Sequence, residues 1–170
     1  MIKNKKKACP QYLQHSFCRR GISLIEIIII ISIIGILSAI ITPNLSRFHN
    51  QQALKNTAED IISLLDEARG STISSKNLTT YGVRFLSDKA ILFPGLSYTE
   101  SVSNKQIDFD SVVQIPETGG VNLNGGGIDI VFDRLTGDTL GYGTILIQLV
   151  NDATLQKVIS VNKIGVISIN

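Results

Sequence analysis

The chain of 170 residues predicts an α+β fold in which a long N-terminal helix, half membrane-spanning and half amphipathic, packs on a C-terminal antiparallel β-sheet head. Three observations predict it. The run Ile22–Ile41 is apolar for 20 residues except for Glu26 and a few small polar residues; as a helix it reaches about 30 Å, the thickness of a bilayer's hydrocarbon layer. Beyond Pro43, apolar residues recur at helical spacing. From Thr79 onward the pattern changes to short β segments. The resulting boundaries are 1–21 for a basic leader, 22–42 for a transmembrane helix, 43–72 for an amphipathic helix and 73–170 for the head.

The leader carries Lys3, Lys5, Lys6, Lys7, Arg19 and Arg20, and no acid precedes Glu26. A basic flank stays cytoplasmic, so everything after Ile41 is expected outside the cytoplasm. A secretory signal is cut at small residues after its apolar core. Here the small residue, Gly21, comes before the core, and cutting there would remove the charges while leaving a new amine on Ile22. A carboxylate inside a spanning helix costs about 2.5–3.5 kcal/mol near its centre and is a functional-site hypothesis by default. The bland alternative is that Glu26 lies near the helix end and snorkels to the headgroups.

Gly35 and Pro43 interrupt the helix, since glycine lowers helix propensity and proline removes a backbone donor. Equally, Gly35 could let two helices approach and Pro43 could end the span. The amphipathic half places Leu54, Ala58, Ile61, Leu65 and Ala68 on one stripe, with Lys55, Glu59, Asp60, Asp66 and Glu67 between them. Gly70-Ser71 is the expected end, with Thr72-Ile73 as a further turn.

Arg20-Gly21-Ile22-Ser23-Leu24-Ile25-Glu26, with its basic leader and apolar run, resembles the cleavage and methylation motif of type IV pilins and type II secretion pseudopilins. The resemblance implies a pilin-like lollipop, cut after Gly21 by a prepilin peptidase, N-methylated on Ile22 and assembled through an inner-membrane platform with other pilin or pseudopilin subunits. It also implies that Glu26 is an assembly residue that meets the free amine of a neighbouring subunit, neutralising two charges that are each costly in an apolar filament core. The resemblance further implies that membrane lipid surrounds the helix before assembly. The family usually has Phe where this chain has Ile22, which bears on methylation more than on cleavage.

Composition changes meaning once the leader is set aside. Six of the 16 basic residues lie in it, leaving 10 against 14 acidic ones, a net charge of about −4 in the remainder. The basic balance therefore gives no support to nucleic-acid binding. Cys9 and Cys18 also lie in the leader, so residues 22–170 hold no disulfide, zinc-thiolate set or catalytic thiol. Histidine occurs only at His15 and His49, which excludes a histidine-based triad or a multi-histidine metal site in the head. No cofactor and no enzymatic activity are expected.

In the head, Tyr81–Phe85 and Ala90–Phe93 flank Ser87-Asp88 as a hairpin. Pro94–Lys105 reads as a loop and Val112–Ile115 as a strand. Gly119–Gly127 reads as a glycine-rich connection. Ile128–Phe132, Thr144–Leu149, Lys157–Val161 and Val166–Ile169 are further strands, enough for one small sheet domain over the amphipathic stripe. Asp133-Arg134-Leu135-Thr136-Gly137-Asp138 sets two carboxylates around a glycine; it lacks the ligand density of an EF-hand loop and reads as a β-turn. Gly125-Gly126-Gly127 has no lysine or following helix for a phosphate loop.

Leu64-Leu65-Asp66-Glu67-Ala68-Arg69, Phe93-Pro94-Gly95, Gly143-Thr144-Ile145, Val158–Val161 and Gly165-Val166 extend the resemblance to GspH/FimT-like minor subunits. That subfamily implies a helix ending in an E-A-R-like segment, two antiparallel sheets and a final strand marked by glycine. The function expected is an initiating or tip subunit of a type IV pilus or secretion pseudopilus. The alternative is DNA capture for uptake, in which the family's basic residues surround the glycine matched by Gly165. Here only Lys157 and Lys163 are near it in sequence, and DNA binding is not expected.

Overall fold

The computed structural model describes residues 21–169, with backbone alone at 39–45. The leader residues named above, with Cys9, His15 and Cys18, lie outside the described residues. Helix α1 is assigned over Leu24–Ile73, and its described side chains form two stretches, 24–38 and 46–73. These belong to two units, Met1–Ile41 and Thr42–Asn170. The division falls one residue before Pro43, where a backbone donor is missing from the helical ladder.

This corrects the expected lollipop. No long apolar N-terminal helix is described. The apolar stretch 24–38 would reach only about 22 Å at 1.5 Å per residue, short of a roughly 30 Å hydrocarbon layer. Among the described residues no helix is long and apolar enough to cross a membrane. The β segments form two antiparallel sheets.

In the second unit, Leu54, Ala58, Ile61, Leu65 and Ala68 are all buried, together with Ala53 and Leu64. Their spacing puts one face of the 46–73 stretch into the core, while Lys55, Glu59, Asp60, Asp66 and Glu67 face solvent. The helix runs past Gly70 because Thr72 anchors its last turn. The Thr72 hydroxyl donates to the Ala68 carbonyl at 2.8 Å and accepts the Tyr81 N–H at 2.9 Å. That fully buried side chain joins helix end to first strand. A short 3-10 turn, Lys76–Leu78, then reverses the chain through positive φ at Ser75, Asn77 and Leu78.

The first sheet holds β1 (Tyr81–Phe85), β2 (Lys89–Pro94), β3 (Lys105–Asp108) and β6 (Asp129–Val131) in the order β3-β2-β1-β6. The second holds β4 (Val113–Gln114), β5 (Val121–Leu123), β7 (Gly143–Leu149), β8 (Gln156–Val161) and β9 (Ile167–Ile169). β4 and β5 both pair with β7, which is followed by β8 and then β9. Val83, Phe85 and Leu92 from the first sheet, Ile145, Ile147 and Ile159 from the second, and the helix stripe share one core. Alternation along the strands assigns these residues to the inner face.

The first sheet is covered on its other face as well. Phe93 and Ile91 are buried there although they belong to the opposite side of the β2 alternation. Tyr98 packs edge-on against Phe93, with ring centroids 5.6 Å apart. The Arg84 guanidinium sits 4.3 Å from the Tyr98 ring centre and makes two 2.7 Å bonds to the Asp129 carboxylate. Segment 95–104, expected only as a polar loop, thus supplies an aromatic lid to an outer apolar patch.

Candidate assembly site

The sequence-predicted site residues lie at the start of the first unit. Gly21 and Ile22 precede the helix and are exposed, and among the described residues beyond its chain neighbours no atom lies within 4 Å of where a Cβ on Gly21 would be. The Ser23 carbonyl accepts the Glu26 N–H at 3.0 Å and the Ile27 N–H at 3.2 Å, opening the helix with Glu26 in its first turn. A carboxylate there favourably opposes the partial positive charge of a helix N-terminus. Ser23 and Glu26 also have the spacing of a capping box. No reciprocal side-chain bond forms, however, and among the described residues no cation lies within ion-pair distance of Glu26.

Every Ile and Leu from Ile22 to Leu37 is exposed, from 44% at Ile27 to 76% at Leu24. Ser32 and Ser38 return their hydroxyls to the Ile28 and Ile34 carbonyls, at 2.7 and 2.8 Å, so these polar side chains do not interrupt the apolar surface. A helix that is apolar on all sides is stable only inside a protein core, a membrane or an assembly. Gly35 lies within this stretch, and a methyl group in place of its hydrogen would meet nothing within 4 Å. The side chain of Pro43 lies outside the described residues.

A second constellation forms in the head where the helix ends. Arg69 donates from Nε to the Gly137 carbonyl at 3.3 Å and from Nη2 to the Ile164 carbonyl at 3.2 Å. Gly137 and Gly165 are both buried with positive φ, 71° and 74°. A Cβ on Gly165 would fall 2.1 Å from the Gly137 carbonyl and 2.7 Å from Arg69 Nε. Backbone bonds from Thr139 to the Lys163 carbonyl, 2.9 Å, and from Asn162 to the Val166 carbonyl, 3.0 Å, complete the junction. Arg134 reaches the Leu78 carbonyl at 3.2 Å from the same Asp133–Asp138 turn.

The structure therefore gathers more positive charge near Gly165 than its sequence neighbours suggest. Lys163 is in the β8–β9 turn, but Lys157 pairs in register with Ile147 toward the other end of β8. The additional cations are Arg69 and Arg134. The signal for Arg69 was present in the helix-ending segment, but the 95 residues separating it from Ile164 hide their contact. In the Asp133–Asp138 segment the Asp133 N–H donates to the Asp138 carbonyl at 2.8 Å, and the Gly137 N–H donates to the Asp133 carbonyl at 2.9 Å. Among the described residues no group of three or more His, Cys, Asp or Glu side chains is arranged to hold a metal ion.

Comparison with known proteins finds no matching family model, no matching curated protein and no matching solved structure.

Proposed function

We propose that this chain is a minor subunit of a type IV pilus or a type II secretion pseudopilus, without catalytic activity of its own. It is cut after Gly21, held in the cytoplasmic membrane with its head outside, and assembled through Ile22 and Glu26. The observation that carries the reading is a Glu26 without an ion-pair partner among the described residues, at the start of an apolar stretch that no described part of its own unit covers. The basic leader ending at Gly21 supports it, because cleavage there would create a cationic amine four residues from that carboxylate. An amine and a carboxylate from adjacent subunits would satisfy each other in an apolar interior where either alone is costly.

The test is intact mass and N-terminal analysis of protein from membranes of cells with and without a prepilin peptidase. Peptidase-dependent loss of 21 residues and a methylated Ile22 are expected. An uncut chain with active peptidase would refute the proposal. A second reading, DNA capture by the head, gains from Arg69, which reaches the Ile164 carbonyl next to Lys163. It is opposed by Asp133 and Asp138 on the adjoining turn, which repel phosphate.

A further inference from the structure

The glycine-rich segment between β5 and β6 takes no part in the filament reading, and it holds the chain's single Asn-Gly pair, Asn124-Gly125. These are the central residues of a turn closed by the Gly126 N–H, which donates to the Leu123 carbonyl at 3.0 Å. Gly125 and Gly126 both have positive φ, 90° and 67°, a conformation that favours glycine. The backbone thus demands glycine directly after this asparagine. Residues 124–128 are all exposed.

Asparagine is a thermolabile residue, most so where the next backbone nitrogen can reach its side-chain carbonyl carbon. The Gly125 N–H makes no hydrogen bond among the described residues. Chain neighbours aside, none of their atoms lies within 4 Å of where a Cβ on Gly125 would be. We propose that Asn124 is a site of spontaneous covalent modification, converted through a succinimide to aspartate and isoaspartate by attack of the Gly125 nitrogen. The chemistry does not depend on how the chain assembles.

The Gly125 nitrogen gives its proton to solvent base and bonds to Asn124 Cγ, while the Cγ–Nδ2 bond breaks and ammonia leaves. Water then adds to one of the two ring carbonyls. Opening at the side-chain carbonyl leaves aspartate. Opening at the main-chain carbonyl leaves isoaspartate, with the chain routed through Cγ. In all, one water is consumed and one ammonia released, with no change of oxidation state.

Two contacts hold the turn and are altered by the reaction. Asn124 Nδ2 donates to the Leu140 carbonyl at 3.2 Å, and the Asn124 N–H donates to the Tyr142 carbonyl at 2.8 Å. They slow the attack relative to an unfolded chain. Local opening of an exposed turn costs far less than global unfolding, so the reaction proceeds in the folded head. Its product cannot restore the Leu140 contact, because a carboxylate only accepts. The new charge also joins Asp129 and Asp133 on a cleft bordered by Leu96 and Leu140. Modification therefore loosens the β5–β6 connection from segment 140–142 and makes that cleft more acidic.

The test ages the detergent-solubilised full chain in heavy-oxygen water at neutral and mildly alkaline pH, with the modified residue located by peptide fragmentation in a mass spectrometer. Incorporation of one heavy oxygen atom at residue 124, as both aspartate and isoaspartate and faster at the higher pH, is expected. Asn122, also exposed and followed by Leu123, is the internal reference. Asn124 should react about tenfold faster or more, because glycine adds no side chain beside the attacking nitrogen. An Asn124→Asp chain should show weakened hydrogen-exchange protection of the residue 124 amide.

Equal rates at Asn122 and Asn124 would overturn the proposal, and so would reaction only after denaturation. Aspartate without isoaspartate would exclude the Gly125 nitrogen as the nucleophile. Unchanged protection in Asn124→Asp would overturn the loosening of the β5–β6 connection.

Discussion

The two units use similar apolar residues to opposite ends. From Ile22 to Leu37 the apolar side chains surround the helix and remain exposed. From Ala53 to Ala68 they occupy one face and are buried against two sheets. The difference is arrangement rather than hydrophobicity: a one-sided stripe can be satisfied within the chain, and an all-round surface cannot. The head therefore contains the interactions that stabilise it, whereas no described residue covers the apolar side chains of the first unit.

The largest test of this contrast is a cavity. Phe132→Ala, at a fully buried core position, should lower head stability by about 3–5 kcal/mol. Ile29→Ala removes exposed apolar surface and should change head stability by less than about 0.5 kcal/mol. Denaturant titration of the processed chain in detergent, followed by tyrosine fluorescence, compares them. Tyr81, Tyr98 and Tyr142 all lie in the second unit, and the chain has no tryptophan. Equal losses from the two substitutions would remove the distinction between the units.

Next in size is Gly165→Ala, which sets a methyl against the Gly137 carbonyl at a positive φ. Backbone strain alone contributes about 1–3 kcal/mol, and relief of the clash would displace Arg69. The expected result is a lowered midpoint in the same titration and weakened protection of the Thr139 amide in hydrogen exchange. Unchanged protection would show that the junction does not bind β9 to the helix end.

A smaller effect is expected at the outer patch. Asp129→Asn removes one partner of a partly exposed pair, and solvent screening limits the loss to about 1 kcal/mol or less. Its hydrogen bonds are the main influence raising the Arg84 pKa above the ordinary guanidinium value, with burial acting against them. A raised cationic pKa contributes stability below the unfolded-state value and loses it as pH rises through the folded value. The Arg84 contribution should therefore be flat across neutral pH. Loss of the contribution between pH 6 and 8, defined by the difference between wild-type and Asp129→Asn titrations at ~0.1 M salt, would contradict this assignment.

The smallest effect is local. The Thr154 hydroxyl and then its backbone N–H hold the Asp152 carboxyl below its ordinary pKa. A depressed carboxyl pKa contributes above the unfolded value and loses that contribution as pH falls through the folded value. Thr154→Val should move the Asp152 titration upward by NMR while leaving the head's melting midpoint near neutral pH almost unchanged. No movement would show that the turn does not control this carboxyl.

Local patterns were legible where side-chain alternation and turn chemistry agreed. Ser87-Asp88 marks the β1–β2 hairpin, and the apolar positions of β7 and β8 define adjoining strands. β3 was less visible because Lys105-Gln106-Ile107-Asp108 is a polar sheet edge, and charged side chains suit an edge. β5 is only three residues long and lies inside the glycine-rich 119–127 segment. Strand patterns also do not state which strands share a sheet, so the orders β3-β2-β1-β6 and β4-β7-β8-β9 were not legible in them. At the site, Glu26 stands out because one acid interrupts an apolar run. The Arg69–Gly165 junction depends on contacts distant in sequence, and local periodicity cannot reveal it.

The most direct test replaces Glu26 with Gln and measures incorporation of the processed chain into sheared filaments or pseudopili, together with the head's melting transition. Glu26→Gln retains side-chain size while removing the negative charge. Loss of incorporation with unchanged cleavage, membrane insertion and head melting is the predicted result. Wild-type incorporation would contradict assembly through the Glu26 carboxylate.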